Sequence, residues 1–330
     1  MTTTPTPGRL LALSGSYWQT CVLHAGVKLD LFTAIGREAC TVQEVAKTIR
    51  TEERATAMLL NALVAMELLV KEDTRYRNSE ESALFLDAAS SAYQGYIIMH
   101  HHQLMASWAR LDEAVKSGRP VRNRVAFEDE TVRKHFLMGM FNIAMGLAPH
   151  VVRALDLSGR RKLLDLGGGP GTYALHFCQA HPDLHAVVFD LPGTRRFAEQ
   201  TITRFGLADR VEFAAGDYHK DPLPGRFDTV WLSHILHAEN PEACQRLIHK
   251  AVQALDRGGV LIVHDFILND TMDGPLFPAL FALNMLLGTD GGQAYAQGQV
   301  EIMLKEAGLK NIERLPLDAP NDSGLVVGTK

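Results

Sequence analysis

The chain has 330 residues, 46% hydrophobic and 22% charged, with 27 glycines and 14 prolines. This is the make-up of a folded globular protein of roughly two domains; it excludes a disordered chain, a collagen-like repeat and a coiled-coil rod. Thirty-three basic residues against 38 acidic ones give a net charge of −5, the wrong sign for a protein whose main task is to hold phosphate backbones, so nucleic acid is not expected as a partner.

Met1–Gly8 is polar and Thr/Pro-rich and lacks the basic-then-apolar pattern of a secretory leader. Leu10–Leu31 carries apolar residues at helical spacing. Thr41 followed by Glu44 in TVQEV is a capping-box pattern at the start of a second helix. Thr51–Leu69 is a third, strongly apolar helix, and Val70–Phe85 reads as strand, charged turn and strand. Three helices and a hairpin outline a winged helix. Its recognition-helix position, Glu52–Leu69, presents Glu52, Glu53 and Glu67 beside Arg54 and is otherwise Ala, Leu, Met and Val. A groove-reading helix needs Arg, Lys, Asn or Gln toward the bases, so packing or dimerisation is the expected role.

Two longer helices follow, Tyr93–Ser117 and Glu130–Leu155, separated by a loop at 116–123. His100, His101 and His102 lie in the first of them. Neighbours on a helix diverge by about 100°, so the three cannot share one metal, and which of them faces a cavity is open. No apolar run approaches 18 residues, so no membrane span is expected. The cysteines (Cys21, Cys40, Cys178, Cys244) form no Cys-x-x-Cys pair. They read as reduced thiols, which places the protein in the cytoplasm. No ligand set for a metal is evident.

From Arg160 strands and helices alternate. Strands are expected at 162–166, 186–190, 211–215, 227–233 and 260–266. The intervening helices fall at 172–181, 193–205 and 241–256. Helices at 276–287 and 299–307 and a closing strand pair, 312–317 with 324–329, complete the chain. Apolar strands between helices specify an α/β fold with a doubly wound, mostly parallel, Rossmann-like sheet and an antiparallel edge hairpin. The boundary falls between Phe85 and Leu111, giving a helical, winged-helix-like domain over 1–105 and a ligand-binding domain over 106–330.

Leu163–Gly171 (LLDLGGGPG) is a glycine-rich turn between strand and helix. Gly167 and Gly169 fit a dinucleotide pattern, but Thr172 stands at its third glycine. Asp165, Gly167, Gly169 and Gly171 instead fit Asp-x-Gly-x-Gly-x-Gly, the pattern of S-adenosylmethionine methyltransferases. There the glycines admit an amino-acid tail and the acid meets its ammonium. Asp190, at the next strand end, is placed to hold ribose hydroxyls, with Leu191 beside it. Gly216-Asp217-Tyr218 at the third end is placed for adenine. Three acids at successive strand ends make one binding edge.

With these motifs the chain resembles the dimeric O-methyltransferases, a family that includes plant caffeate and flavonoid enzymes, acetylserotonin methyltransferase and bacterial polyketide and pigment enzymes. The resemblance runs over nearly the whole chain, through FNIAM (141–145), FDLP, GDYH, LSHILHAENPEAC (232–244) and GGVLIVHDFIL (258–268). It implies a homodimer built by the N-terminal half, S-adenosylmethionine as cofactor with S-adenosylhomocysteine as product, and a small hydroxylated, aromatic acceptor. His237 falls on the family's general base, and an imidazole with a pKa near 6.5 can take a hydroxyl proton at neutral pH. Asp265 falls on the acid that orients it. Met145 and Ser233 fall near the cofactor. Met138, Phe141, Trp231, His234, Phe281, Met285 and Tyr295 fall at the acceptor pocket, although Met and aromatic residues at helical spacing are equally natural core.

The chain departs from the family at Ala238 and Ala294, positions that are often acidic, and at His234, which replaces a bulky residue. Those departures leave room for a non-methylating cyclase, decarboxylase or hydroxylase on the same fold. An N- or S-methyltransferase is a second rival, and a winged-helix regulator sensing S-adenosylmethionine a remote third. His264, on the opposite side of its strand from Asp265, is left out of the site.

Overall fold

The computed structural model describes residues 6–122, 129–319 and 321–330. Met1–Pro5 of the polar N-terminus and Asn123, the end of the expected 116–123 loop, lie outside the described residues. The chain divides into two compact units, Met1–Leu104 and Met105–Lys330.

In the first unit the single helix expected over Leu10–Leu31 is three: α1 (Gly8–Gly15), α2 (Tyr17–Lys28) and α3 (Leu31–Ile35). Asp30, in the left-handed region at φ 53°, separates the last two. Strand β1 (Cys40–Thr41) leads into α4 (Val42–Ile49), where Thr41 Oγ1 accepts from the Glu44 N–H and Glu44 accepts from the Thr41 N–H at 2.7 Å, the expected capping box. The Glu52 carboxylate caps α5 (Glu53–Ala65) by accepting from the Arg54 and Ala55 N–H groups. Strands β2 (Leu69–Glu72) and β3 (Arg75–Asn78) pair antiparallel, and β1 adds to β3 in the order β1-β3-β2. The second strand expected to reach Phe85 stops at Asn78, because the Ser79 hydroxyl accepts from the Ser82 N–H and starts α6 (Glu80–Phe85). Leu31, Phe32, Leu60 and Leu63 are wholly buried at the centre of this unit. The helix expected over Tyr93–Ser117 is α7 (Gly95–Trp108) and α8 (Leu111–Ser117), broken where Arg110 leaves helical geometry.

The second unit takes in the end of α7 and all of α8 and continues with α9 (Glu130–Ala154), which is apolar and long enough to cross a membrane by length and composition. Its Ala144, Leu147, Ala148 and Val151 are buried in the protein core with residues of the next helix, the position of a core helix. There follow β4 (Lys162–Leu166), α10 (Thr172–Ala180), β5 (His185–Asp190), α11 (Arg195–Arg204), β6 (Val211–Ala215), β7 (Phe227–Ser233), α12 (Pro241–Ala254), β8 (Leu255–Phe266), α13 (Leu276–Gly288), α14 (Gln297–Glu306), β9 (Lys310–Leu315) and β10 (Ser323–Thr329). The sheet order is β6-β5-β4-β7-β8-β10-β9, with β4 to β8 parallel and β10 antiparallel to both neighbours. Alternate residues of β4 face opposite cores. Leu163 packs with α9, α10 and α11, and Leu164 packs with α12 and α14. The order reverses between β4 and β7, and the crevice beyond the carboxyl ends of such strands is where ligands bind in this architecture.

Candidate active site

At the end of β4 the turn is held open by glycine. Gly167 has φ +73°, and a side chain there would collide with Ile235. Asp165, 1% exposed, keeps a buried Oδ2 with no hydrogen-bond partner among the described residues. Burial pushes its pKa up to about 7, against a pull from the Ala174 N–H and with a smaller push from the Asp190 charge. Asp190, at the end of β5, ties the turn to its neighbour. Its Oδ2 accepts from the Gly169 N–H at 2.8 Å, and its Oδ1 accepts from the Leu191 N–H at 2.6 Å and the Thr194 hydroxyl at 3.0 Å. Burial raises this carboxyl too, opposed by those three bonds.

At the end of β6 a side chain on Gly216 would strike Phe189. The Asp217 carboxylate closes its own turn: it accepts from the His219 N–H at 2.9 Å and pairs with Lys220 at 3.1 Å. Tyr218 donates its hydroxyl to Glu239 Oε1 at 3.0 Å, where His219 Nε2 also lies at 3.0 Å. Glu239 is buried. Sequence reading missed it, and only its place two residues after His237 could have drawn attention. Leu191 is exposed, and Ser233 bonds to His264 Nδ1 at 2.9 Å. His264 Nε2 in turn meets the Ser323 hydroxyl at 3.0 Å. Burial holds this imidazole's pKa well below its usual value, so it is a neutral bridge within the sheet, apart from the site.

On the other side of β4, His237 occupies a 3-10 turn, Leu236–Ala238, just past β7. Its Nδ1 is 2.7 Å from Asp265 Oδ1, and its backbone N–H donates to Asp265 Oδ2 at 3.3 Å. Asp265, at the end of β8, also accepts from the Phe266 N–H at 2.8 Å. Burial pushes the Asp265 carboxyl up, but the His237 and His234 imidazoles outweigh it and hold it well below the usual carboxylate range. An ionised Asp265 places the His237 proton on Nδ1, a tautomer assigned from the hydrogen-bond network. Nε2 is then a free acceptor that no described residue bonds. Phe281 of α13 stands edge-on to the His237 ring at 4.7 Å, and Phe266 lies nearly parallel to it at 6.1 Å. Phe277 packs on Phe266 at 4.9 Å. Met285, one turn beyond Phe281, is buried on the same helix.

His234 sits in the left-handed region at φ 55°, its ring 4.5 Å from His264 and 4.4 Å from Phe266. Neither ring nitrogen has a hydrogen-bond partner among the described residues, although Nδ1 is 3.6 Å from Asp265 Oδ1. The donor atoms of His234, His237 and Asp265 all lie within 4.8 Å of one another. This corrects the expectation of no metal-ligand set, because residues on two strand ends are joined only by folding.

Two expected pocket residues lie elsewhere. Trp231 is wholly buried between Tyr173 and Phe177, because β7 turns that position toward the α9–α10 core. Tyr295 is buried in the opposite core and donates its hydroxyl to the Glu239 carbonyl at 2.6 Å. Phe141 is buried with its ring 5.8 Å from the Arg204 guanidinium, at the end of α11. Met138 and Met145 are partly buried on α9, and no described ring contact or hydrogen bond joins them to the His237 cluster. Ala294 is packed with Leu268 and Ala296. In the first unit, His102 Nε2 lies 3.2 Å from Lys28 Nζ and its ring is edge-on to His24 at 5.4 Å. Phe266 and Phe277 were missed. The four-residue spacing of Phe277 and Phe281 was the available signal.

Comparison with known proteins gives concordant matches. The O-methyltransferase domain model matches residues 108–310, and the O-methyltransferase dimerisation domain model matches residues 11–88. A 3-hydroxy-5-methyl-1-naphthoate 3-O-methyltransferase of Streptomyces sahachiroi is 32% identical over 98% of this chain and 95% of its own. An N,N-dimethyltransferase of Streptomyces rimosus is 31% identical over the whole of both chains. Among solved structures, human N-acetylserotonin methyltransferase in complex with S-adenosylmethionine is 25% identical, with a TM-score of 0.89 over 100% of this chain and 99% of that one.

Proposed function

The chain belongs to the O-methyltransferase family and is an S-adenosylmethionine-dependent methyltransferase, and from that premise we propose that it methylates a hydroxyl group on a flat aromatic acceptor with His237 as general base. The observation that carries the base assignment is the 2.7 Å bond between His237 Nδ1 and a buried, ionised Asp265. This bond orients the ring and leaves Nε2 to accept the hydroxyl proton, and Asp265 then stabilises the imidazolium. Phe266, Phe277 and Phe281 supply apolar faces suited to an aromatic ring. The aromatic acceptor named for the Streptomyces sahachiroi relative agrees with this lining.

The residues at the β4 and β5 ends fit the cofactor. The orphaned Asp165 Oδ2 is a buried carboxylate oxygen without a cation, which suits the ammonium of an amino-acid tail. Gly167, Gly169 and Gly171 leave backbone without side chains beside it, Asp190 suits ribose hydroxyls, and Gly216, Asp217 and Tyr218 suit adenine, with Leu191, Ser233 and Met145 alongside. When bound, S-adenosylmethionine supplies an electrophilic sulfonium methyl. The protein's part is to hold donor and acceptor in reach of one another.

The test is S-adenosylhomocysteine release and product mass against hydroxylated arenes, amines and thiols. Methylated phenol products from the wild type, lost in His237→Ala, support the reading; turnover confined to amines overturns it. An amine acceptor is the runner-up, favoured by the Streptomyces rimosus relative named an N,N-dimethyltransferase, and it needs no base.

A homodimer formed through the N-terminal unit is part of the same reading. The dimerisation-domain match supports it, as do the exposed Leu10, Leu11, Leu13, Tyr17 and Trp18 of α1 and α2, a large apolar surface for one chain. Light scattering should give twice the 36.4 kDa chain mass, and Trp18→Asp should shift it toward one chain. The four free thiols accord with a reducing, cytoplasmic setting.

A further inference from the structure

Arg122 is a half-buried cation whose guanidinium meets no carboxylate among the described residues. Its only side-chain bond there is a long one, 3.4 Å from Nη1 to the Ser107 hydroxyl. Burial lowers its pKa, and no described residue compensates its charge. The segment is fixed in place: the Val121 and Arg122 N–H groups both donate to the Leu287 carbonyl, at 3.1 and 3.0 Å, at the end of α13. The guanidinium occupies the space where a side chain on Gly288 would stand.

Gly288 is seven residues beyond Phe281, two turns along one helix face, with Asn284 and Met285 between. Phe281 touches the His237 ring at that face's other end. Asn284 adds a buried Oδ1 with no partner among the described residues. One face of α13 therefore runs from the proposed base, past apolar Met285 and an amide oxygen with no described partner, to a cation that meets no described carboxylate, over about 10 Å.

We propose that Arg122 is the anion-binding end of the acceptor pocket, and that the acceptor is a flat hydroxylated acid. Its hydroxyl would sit at His237 and its carboxylate about two helical turns away at Arg122, bound through the planar fork of the guanidinium. Charge pairing in a partly desolvated site makes such a contact specific as well as tight. This rests on the hydroxyl-methylation reading above, and its test is separable from that reading because it is made on binding.

The probe is 6-hydroxy-2-naphthoate, with hydroxyl and carboxylate at opposite ends of two fused rings, against its methyl ester. Both are titrated calorimetrically into S-adenosylhomocysteine-loaded protein. The wild type should bind the acid at least tenfold more tightly than the ester. Arg122→Met should bring that ratio to about one, and Arg122→Lys should retain part of it. Gly288→Ala leaves the arginine in the sequence but displaces its guanidinium; it should lower the ratio without removing the charge. Equal binding of acid and ester by the wild type, or an undiminished preference in Arg122→Met, would overturn the proposal. Acid-selective binding that disappears with Arg122 but yields no methylated product would sustain this proposal and overturn the hydroxyl-transfer reading.

Discussion

Asp165 and Asp265 stand at carboxyl ends of the same sheet, 1% and 5% exposed, yet their acidities move in opposite directions. Asp165 has no cationic partner among the described residues, so burial dominates its shift and favours the proton. Asp265 faces two imidazoles, and their pull exceeds the burial cost. The contrast separates two tasks. An acid left without a partner is prepared for a cation brought by a ligand, whereas an acid already paired prepares the group it is paired with. On the proposed reading, the β4–β5 side of the crevice binds the cofactor and the β7–β8 side acts on a proton.

The sharpest way to break this contrast is to remove one side at a time. His237→Ala should lower kcat by about 10²–10⁴-fold while leaving the calorimetric affinity for S-adenosylmethionine unchanged; loss of cofactor affinity in that variant would erase the division. The next effect is on stability. The Asp165 pKa is raised from 3.8 to about 7 on folding, so the folded state binds the proton that the unfolded state releases. Its contribution is fully present below about pH 4 and is lost as pH rises to about 7, by on the order of 4 kcal/mol at most. Asp265 works the other way, adding stability above its unfolded pKa that is lost as pH falls below that value. Urea unfolding of cofactor-free protein at pH 5 and pH 8 should show the Asp165 loss, and Asp165→Asn should flatten it. An unchanged slope in that variant would mean that Asp165 is not the titrating group. Asp190→Ala removes three accepted bonds from the turn and should weaken cofactor binding by about 10²-fold with little change in kcat at saturation, measured by titration and initial rates. The smallest expected effect is none: because the proposed base would act without a metal, dialysis against a chelator should leave turnover unchanged. Loss on chelation with recovery on adding a divalent ion would turn His234, His237 and Asp265 into a metal site.

The two sides also differ in how far the sequence announces them. Asp165, the glycines, Asp190 and Asp217 lie at successive strand ends, each beside its own turn, and the strands themselves fall within a few residues of the expected ones except for the early start of β8 at Leu255. A binding edge made of consecutive βα turns is local, so spacing reveals it. Even there, Asp217 also closes its own turn, which only the fold shows. The proposed proton-transfer side is assembled from β7, β8 and α13, and residue type does not say which way a side chain faces. Trp231 and Tyr295 are as apolar as Phe281, but pleat and packing put the first two into opposite cores and only the third on His237. Phe266 and Phe277 were hidden for the same reason, and so was the gathering of His234 with His237 and Asp265. The helix breaks after Lys28 and Trp108 come from single backbone conformations, at Asp30 and Arg110, that apolar periodicity does not register. The helix after Asn78 depends on one capping serine.

The most direct test of the central claim compares wild type and His237→Ala over phenolic acceptors of graded hydroxyl pKa, at saturating S-adenosylmethionine and fixed pH. If His237 removes the proton under orientation by Asp265, the defect in kcat should be small for acceptors already ionised and should grow steadily as the hydroxyl becomes less acidic. A defect independent of acceptor pKa, or none with the least acidic hydroxyl, would contradict it.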